Sequence, residues 1–170
     1  MDARFAQRCA KAARDIRGGS LKGAPDASQV GERSWEDLAR INDAGLLTFD
    51  SQAGASDTER AYVDGVMPMP AAARFVDALN RAGRFVGIVL EPSGDTFGGR
   101  IPLTRTRDGA KTATAVPVYM EDHQYRFLFP FKTASDRFKI VVCFDPCWGA
   151  PGYSPRGLFR EVHRQLRLVA

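Results

Sequence analysis

Ser51, Gln52, Glu59 and Arg60 put a hydroxyl, a carboxamide, a carboxylate and a guanidinium close together in the chain. Around one loop mouth, those groups suit a small anionic or amide-bearing ligand, with the forked guanidinium giving the orientation. They lie in two segments, Thr48-Phe49-Asp50-Ser51-Gln52-Ala53-Gly54 and Glu59-Arg60-Ala61-Tyr62-Val63-Asp64-Gly65. Strict alternation in a strand places Thr48, Asp50 and Gln52 on one face and Leu47, Phe49 and Ser51 on the other. A structural reading competes with the ligand reading: Glu59 and Arg60 pair with each other, and Gln52 satisfies loop backbone groups.

A second segment, Val141-Val142-Cys143-Phe144-Asp145-Pro146-Cys147-Trp148-Gly149, delivers a carboxylate and an indole to a strand end. Pro146 breaks the ladder there. Asp145 and Trp148 therefore join the ligand-binding candidates, although an Asp at that position also suits a turn cap. Other signatures fail. Gly94 to Ile101 nearly matches the phosphate-binding G-x4-G-K-[ST] loop, but Arg100 and Ile101 replace the lysine and the magnesium-binding hydroxyl. Neither His123 nor His163 has a nearby nucleophile. Cys143 and Cys147 lack two further ligands for structural zinc. No metal and no cofactor are expected, and no catalytic residue can be assigned, although Asp145 or Glu59 could serve a hydrolytic enzyme as a base.

These groups need elements to hold them. Residues 2–17 have Phe5, Cys9, Ala12, Ala13 and Ile16 on one face, which predicts a helix. Gly18-Gly19 ends it, and an aperiodic stretch to Arg33 reads as a linker. Ser34, with Asp37 three residues on, resembles a capping box, and Trp35, Leu38 and Ile41 continue as an apolar stripe to Gly45. Strands are expected at Leu46–Gln52 and Arg60–Val66. Their seven-residue connection is too short for a parallel crossover, so they should be antiparallel neighbours. Pro70 opens a helix ending at Gly83, and Phe85–Leu90 is a strand. Pro92 to Ala113 is a long excursion. Strands near Thr114–Met120, Tyr125–Phe131 and Phe138–Phe144 then form a meander, and a helix starts at Pro155. Two helix exits match, Asn42-Asp43-Ala44-Gly45 and Asn80-Arg81-Ala82-Gly83. The expected fold is α+β: a single mixed, mainly antiparallel sheet of about six strands with helices packed on one face.

A helix ending N-x-A-G, then T-x-x-S-Q-x-G, E-R-x-x-V-x-G and D-P-x-W-G resembles an uncharacterised family of small bacterial and viral hypothetical proteins. Here the elements are Asn42–Gly45, Thr48–Gly54, Glu59–Gly65 and Asp145–Gly149. The resemblance spans about residues 34–165 and departs at Ala53, where proline is usual. It implies a site near these motifs and no particular activity.

Charge suggests a different partner. The formal net charge is +4, and all of it falls in residues 1–22, where Arg4, Arg8, Lys11, Arg14, Arg17 and Lys22 face only Asp2 and Asp15. The chain is expected to divide into a basic N-terminal helix or arm (1–22), a linker (23–33) and a single α+β domain (34–170). Removing residues 1–22 should then leave a folded domain. Arg156, Arg160, Arg164 and Arg167 add a second basic face on the last helix. With Arg4, Arg8, Lys11 and Arg14, and a third basic patch at Arg100, Arg105, Arg107 and Lys111, they could follow a phosphate backbone or meet an acidic protein surface. The alternative to ligand binding is therefore a nucleic-acid-associated or structural protein, including a virion component. Three cysteines, an odd number, point to a cytoplasmic or other reducing intracellular compartment. No apolar run is long enough to span a bilayer, so no membrane partner is expected.

Overall fold

A computed structural model describes residues 3–19, 31–90, 101–107, 112–116 and 137–169. Its elements, in chain order, are helices α1 (Ala3–Arg17) and α2 (Glu32–Asp43), strands β1 (Leu47–Gln52) and β2 (Tyr62–Pro68), and helix α3 (Met69–Arg81). Strands β3 (Val86–Leu90), β4 (Ile101–Arg105), β5 (Thr112–Val116) and β6 (Phe138–Phe144) follow, and helix α4 (Leu158–Val169) ends the series. The fold is α+β, built on a four-stranded sheet ordered β1-β2-β6-β3. Every neighbouring pair in it is antiparallel. The expected β1–β2 pairing is present, with Leu47 opposite Val66 and Gln52 opposite Tyr62.

Among the described residues the expected single sheet of about six strands is not found: four strands form one sheet. Strands β4 and β5 pair with each other in a separate two-stranded ribbon. The expected strand at Tyr125–Phe131 lies outside the described residues. Phe138–Phe144 does not follow a meander; it inserts between β2 and β3. Its composition explains the position. Ile140, Val141, Val142, Cys143 and Phe144 are all buried, so both faces of this strand need cover.

Register sorts the sheet into two faces. Val63 lies opposite Cys143, and both join the main core with Phe75 and Leu79 of α3 and Leu158, Phe159, Val162 and Leu166 of α4. On the other face Tyr62, Ile140, Val142 and Phe144 cluster with Leu103 of β4. Helices α2, α3 and α4 thus cover one side, and Leu103 of the ribbon's first strand covers part of the other. Two helix starts differ from expectation. Helix α2 begins at Glu32 behind Gly31, leaving Ser34 buried inside its first turn. Helix α4 begins at Leu158, because residues 152–157 form turns closed by Gly157 N–H to Ser154 O and Phe159 N–H to Gly152 O. Among the described residues no helix is long and apolar enough to cross a membrane.

Helix α1 packs along α2. Ala13 and Ile16 enter the main core, while Phe5, Cys9 and Ala12 pack on Leu47 and Phe138. The Phe5 and Phe138 rings lie 4.9 Å apart. Arg17 bridges to Glu36 at 3.2 Å and Asp43 at 2.8 Å on α2. Burial pushes the Cys9 thiol up to about 12, with Asp43 adding to the effect, so this sulfur behaves as an apolar group. The packing changes what truncation should do. Deleting residues 1–22 removes the buried Phe5 and Ile16, at about 1.5–3 kcal/mol each. The melting temperature should fall by roughly 10–20 °C. A calorimetric scan of the truncated chain checks this, and an unchanged transition would show that α1 adds nothing to the core.

Candidate functional site

The site forms where the β1–β2 loop meets two other segments. Gly54 has φ of +66°, and a Cβ there would come within 2.2 Å of the Ala61 nitrogen. Only glycine allows the loop to fold back this closely. Gln52 Nε2 then donates to the Arg60 carbonyl at 3.0 Å. Strand β4 docks on the same loop: Arg60 N–H donates to Leu103 O, Arg105 N–H donates to Thr58 O, and Glu59 bridges to Thr104. From the other side the β6–α4 connection binds it, with Asp145 N–H to Ala61 O, Gly149 N–H to Glu59 O and Gly152 N–H to Ala53 O.

This framework brings two guanidinium groups to one indole. The central carbons of Arg60 and Arg105 each lie 4.4 Å from the Trp148 ring centroid. Arg60 Nη1 donates to Pro102 O at 3.1 Å, and Arg105 Nη2 donates to Asp57 O at 2.8 Å. Neither forms an ion pair with any described residue. Burial, and then the charge of Arg105, holds the Arg60 guanidinium below the usual arginine range; Cys147 and Asp145 oppose that shift. An arginine remains protonated regardless. Arg60 Nε is buried without a hydrogen-bond partner.

The sequence candidates part company here. Gln52, Arg60 and Trp148 come together. Glu59 lies in the same loop, but the described residues show no ion pair between it and Arg60. Asp145 is 3% exposed, and its Oδ1 accepts the Cys147 N–H at 2.8 Å, which caps the turn. Ser51 is displaced from the loop mouth: it is fully buried opposite Val63, on the helix side of the sheet. The strict alternation assigned to β1 also fails. The register shifts between Thr48 and Asp50, so Thr48 shares the helix-covered face with Ser51. Asp50 and Gln52 occupy the opposite face, where the Tyr62 hydroxyl donates to Asp50 Oδ2 at 2.8 Å. The bulge at Phe49 adds one residue and reverses the faces beyond it.

Sequence reading grouped Arg105 with a diffuse basic patch and missed its place beside Trp148. The clue was weak: Ile101-Pro102-Leu103-Thr104-Arg105 is a short strand inside a segment that reads as loop. Among the described residues no cluster of three or more His, Cys, Asp or Glu side chains could hold a metal ion.

A family model described as a domain of unknown function (DUF6919) matches residues 19–168. The chain belongs to the DUF6919 family. The family match takes in the β1–β2 loop, β4 and the β6–α4 connection, and stops short of α1. No curated protein matches the chain.

The basic helix faces are partly neutralised in place. Lys11 pairs with Asp15, Arg164 is bidentate to Glu161 at 2.6 and 2.9 Å, and Arg160 approaches Asp37 at 3.7 Å. Arg14, Arg156 and Arg167 are exposed. His163 on α4 lies below the ordinary histidine range through burial, then Arg40 and Arg167; Asp37 and Asp43 offset part of this. Folding therefore favours its neutral form. Its contribution is full above about pH 6.5 and is lost as pH falls through the lowered folded value. His163→Gln should flatten the acid side of the melting-temperature profile; an unchanged slope would clear His163 of that role.

Arg60→Lys keeps the charge and loses the fork that reaches Pro102 O and covers Trp148. The loss should be about 1–3 kcal/mol, from one charge-assisted hydrogen bond and a cation–π contact. Denaturant unfolding measures it, and a midpoint equal to wild type would show that neither contact matters to the fold.

Proposed function

We propose that this DUF6919 chain is a small-ligand-binding domain whose ligand is anionic, carrying a phosphate or carboxylate. One observation carries this reading: two guanidinium groups share the Trp148 ring, and neither has a carboxylate partner among the described residues. Like charges held close cost free energy that an anion would recover through charge-assisted, forked hydrogen bonds. The indole face makes the arrangement tolerable without neutralising it. Gln52 and Glu59 complete the site as the groups that fix the loop and its polar rim. In this reading T-x-x-S-Q-x-G, E-R-x-x-V-x-G and D-P-x-W-G form a signature for one site. The first and second segments build the Gly54–Ala61 turn, and the third supplies Trp148.

The structural context favours this over the alternatives. The basic-helix reading, with nucleic acid or an acidic protein as partner, has less support because Lys11, Arg160 and Arg164 already have acidic neighbours. A hydrolytic role for Asp145 has less support because its Oδ1 is taken by the turn.

The test is calorimetric titration with inorganic phosphate, pyrophosphate and a small dicarboxylate, in low-chloride buffer. At least one should bind saturably, with affinity falling as salt rises. Arg105→Gln should weaken that binding about tenfold or more through loss of one charge-assisted contact. No heat from any of the three, or binding untouched by Arg105→Gln, would remove the proposal.

A further inference from the structure

The matched helix exits at Asn42 and Asn80 play no part in the ligand site, yet at each the side-chain amide oxygen accepts a backbone N–H from a strand. Asn80 Nδ2 donates to the Gly87 carbonyl at 3.0 Å, and its Oδ1 accepts the Gly87 N–H at 2.8 Å. A side-chain amide presents the donor and acceptor of a peptide unit. These are the two bonds that another strand would make. Gly87 lies opposite Cys143 of β6, but its N–H and C=O both go to Asn80. In an antiparallel ladder a residue sends both backbone groups to one side, so those of Gly87 point away from β6. Strand β3 is also terminal in the sheet order among the described residues.

Asn42 makes the acceptor half of this contact at β1, the other terminal strand among the described residues. Its Oδ1 accepts the Thr48 N–H at 3.1 Å, and its Nδ2 donates to Thr48 Oγ1 at 2.8 Å and Leu38 O at 2.9 Å. The two edges are not equally protected. Leu47 of β1 is also covered by Phe5, Cys9 and Ala12 of α1. Strand β3 reads Val86-Gly87-Ile88-Val89-Leu90, uncharged and free of proline. Such a segment with open backbone groups is a template for strand addition. It can pair antiparallel with itself, the arrangement that a two-fold dimer needs.

We propose that Asn42 and Asn80 are edge guards. Asn42 closes the Thr48 N–H of β1, while Asn80 closes both outward backbone groups of Gly87 and keeps β3 from pairing with β3 of a second copy of this chain.

Sedimentation of Asn80→Ala over a concentration series, beside wild type, tests this. The variant should shift from the wild-type mass towards multiples of it as concentration rises. Leu79→Ala serves as a control: it removes a buried side chain from the same helix and leaves the edge bonds in place. It should be destabilised without matching that shift. Asn80→Asp keeps the acceptor for Gly87 N–H and loses the donor to its carbonyl. It should associate less than Asn80→Ala and retain slower Gly87 amide exchange, and it supplies the reading if Asn80→Ala does not fold. A wild-type mass for both Asn80 variants, or equal association by Leu79→Ala, would overturn the proposal.

Discussion

The approach of Gly54 to Ala61 sets the geometry on which the candidate site depends. With the loop folded this tightly, Gln52 reaches the Arg60 carbonyl and the backbone of residues 53–61 is left facing outward on two sides. Strand β4 takes one side and the β6–α4 connection takes the other. Buried backbone groups require partners, so these three segments must be present together for the loop to hold its shape. Arg60, Arg105 and Trp148 come from those same three segments. Their meeting is a consequence of backbone pairing, and side-chain attraction alone would not position them.

That meeting is electrostatically uneven. Each guanidinium has a backbone carbonyl, Pro102 O or Asp57 O, and each shares the Trp148 ring. Carbonyls and a π face attract a cation without cancelling its charge. Contrast Arg17, which holds Glu36 and Asp43, or Arg164, which holds Glu161 through both oxygens. Arg17 and Arg164, exposed on their helices, have carboxylate partners, while the partly covered pair at Trp148 has none among the described residues. Burial should drive the opposite pattern, because an uncompensated charge costs more as it leaves water. A site that departs from the rule in this way is where binding is to be sought.

Helices and the β1–β2 hairpin were legible because their signals are local. The apolar faces of α1 and α4 follow helical spacing, and a short polar loop leaves two strands little choice but to pair. Three features were hidden because their cause is non-local. The bulge at Phe49 reflects pairing with β2, and nothing in Thr48-Phe49-Asp50 announces it. The central place of β6 shows in its continuous apolar run, yet its nearest sequence neighbours suggested a meander. Strand β4 carries a proline and reads as loop until the Thr58–Arg60 backbone is there to receive it. Arg105 was lost with it. Ser51 shows the same limit from the other side: its type suits a site, but the sheet turns it into the core.

The antiparallel register explains why stability and site can be separated in this chain. Phe144 pairs with Tyr62, and Phe138 pairs with Pro68, so β6 runs from the α1 end of the sheet to the loop end. Six residues of extended strand cover about 20 Å. Phe5 stacks near Phe138 at the first end, while Asp145 and Trp148 follow directly from the second. The end of β1, the start of β2, the end of β6 and the start of β3 all reach that second end. Helix α1 can therefore add to the core without touching the guanidinium pair. The loop end, where four strand termini converge, is left to be shaped by close backbone contacts at Gly54 and by the ring of Trp148.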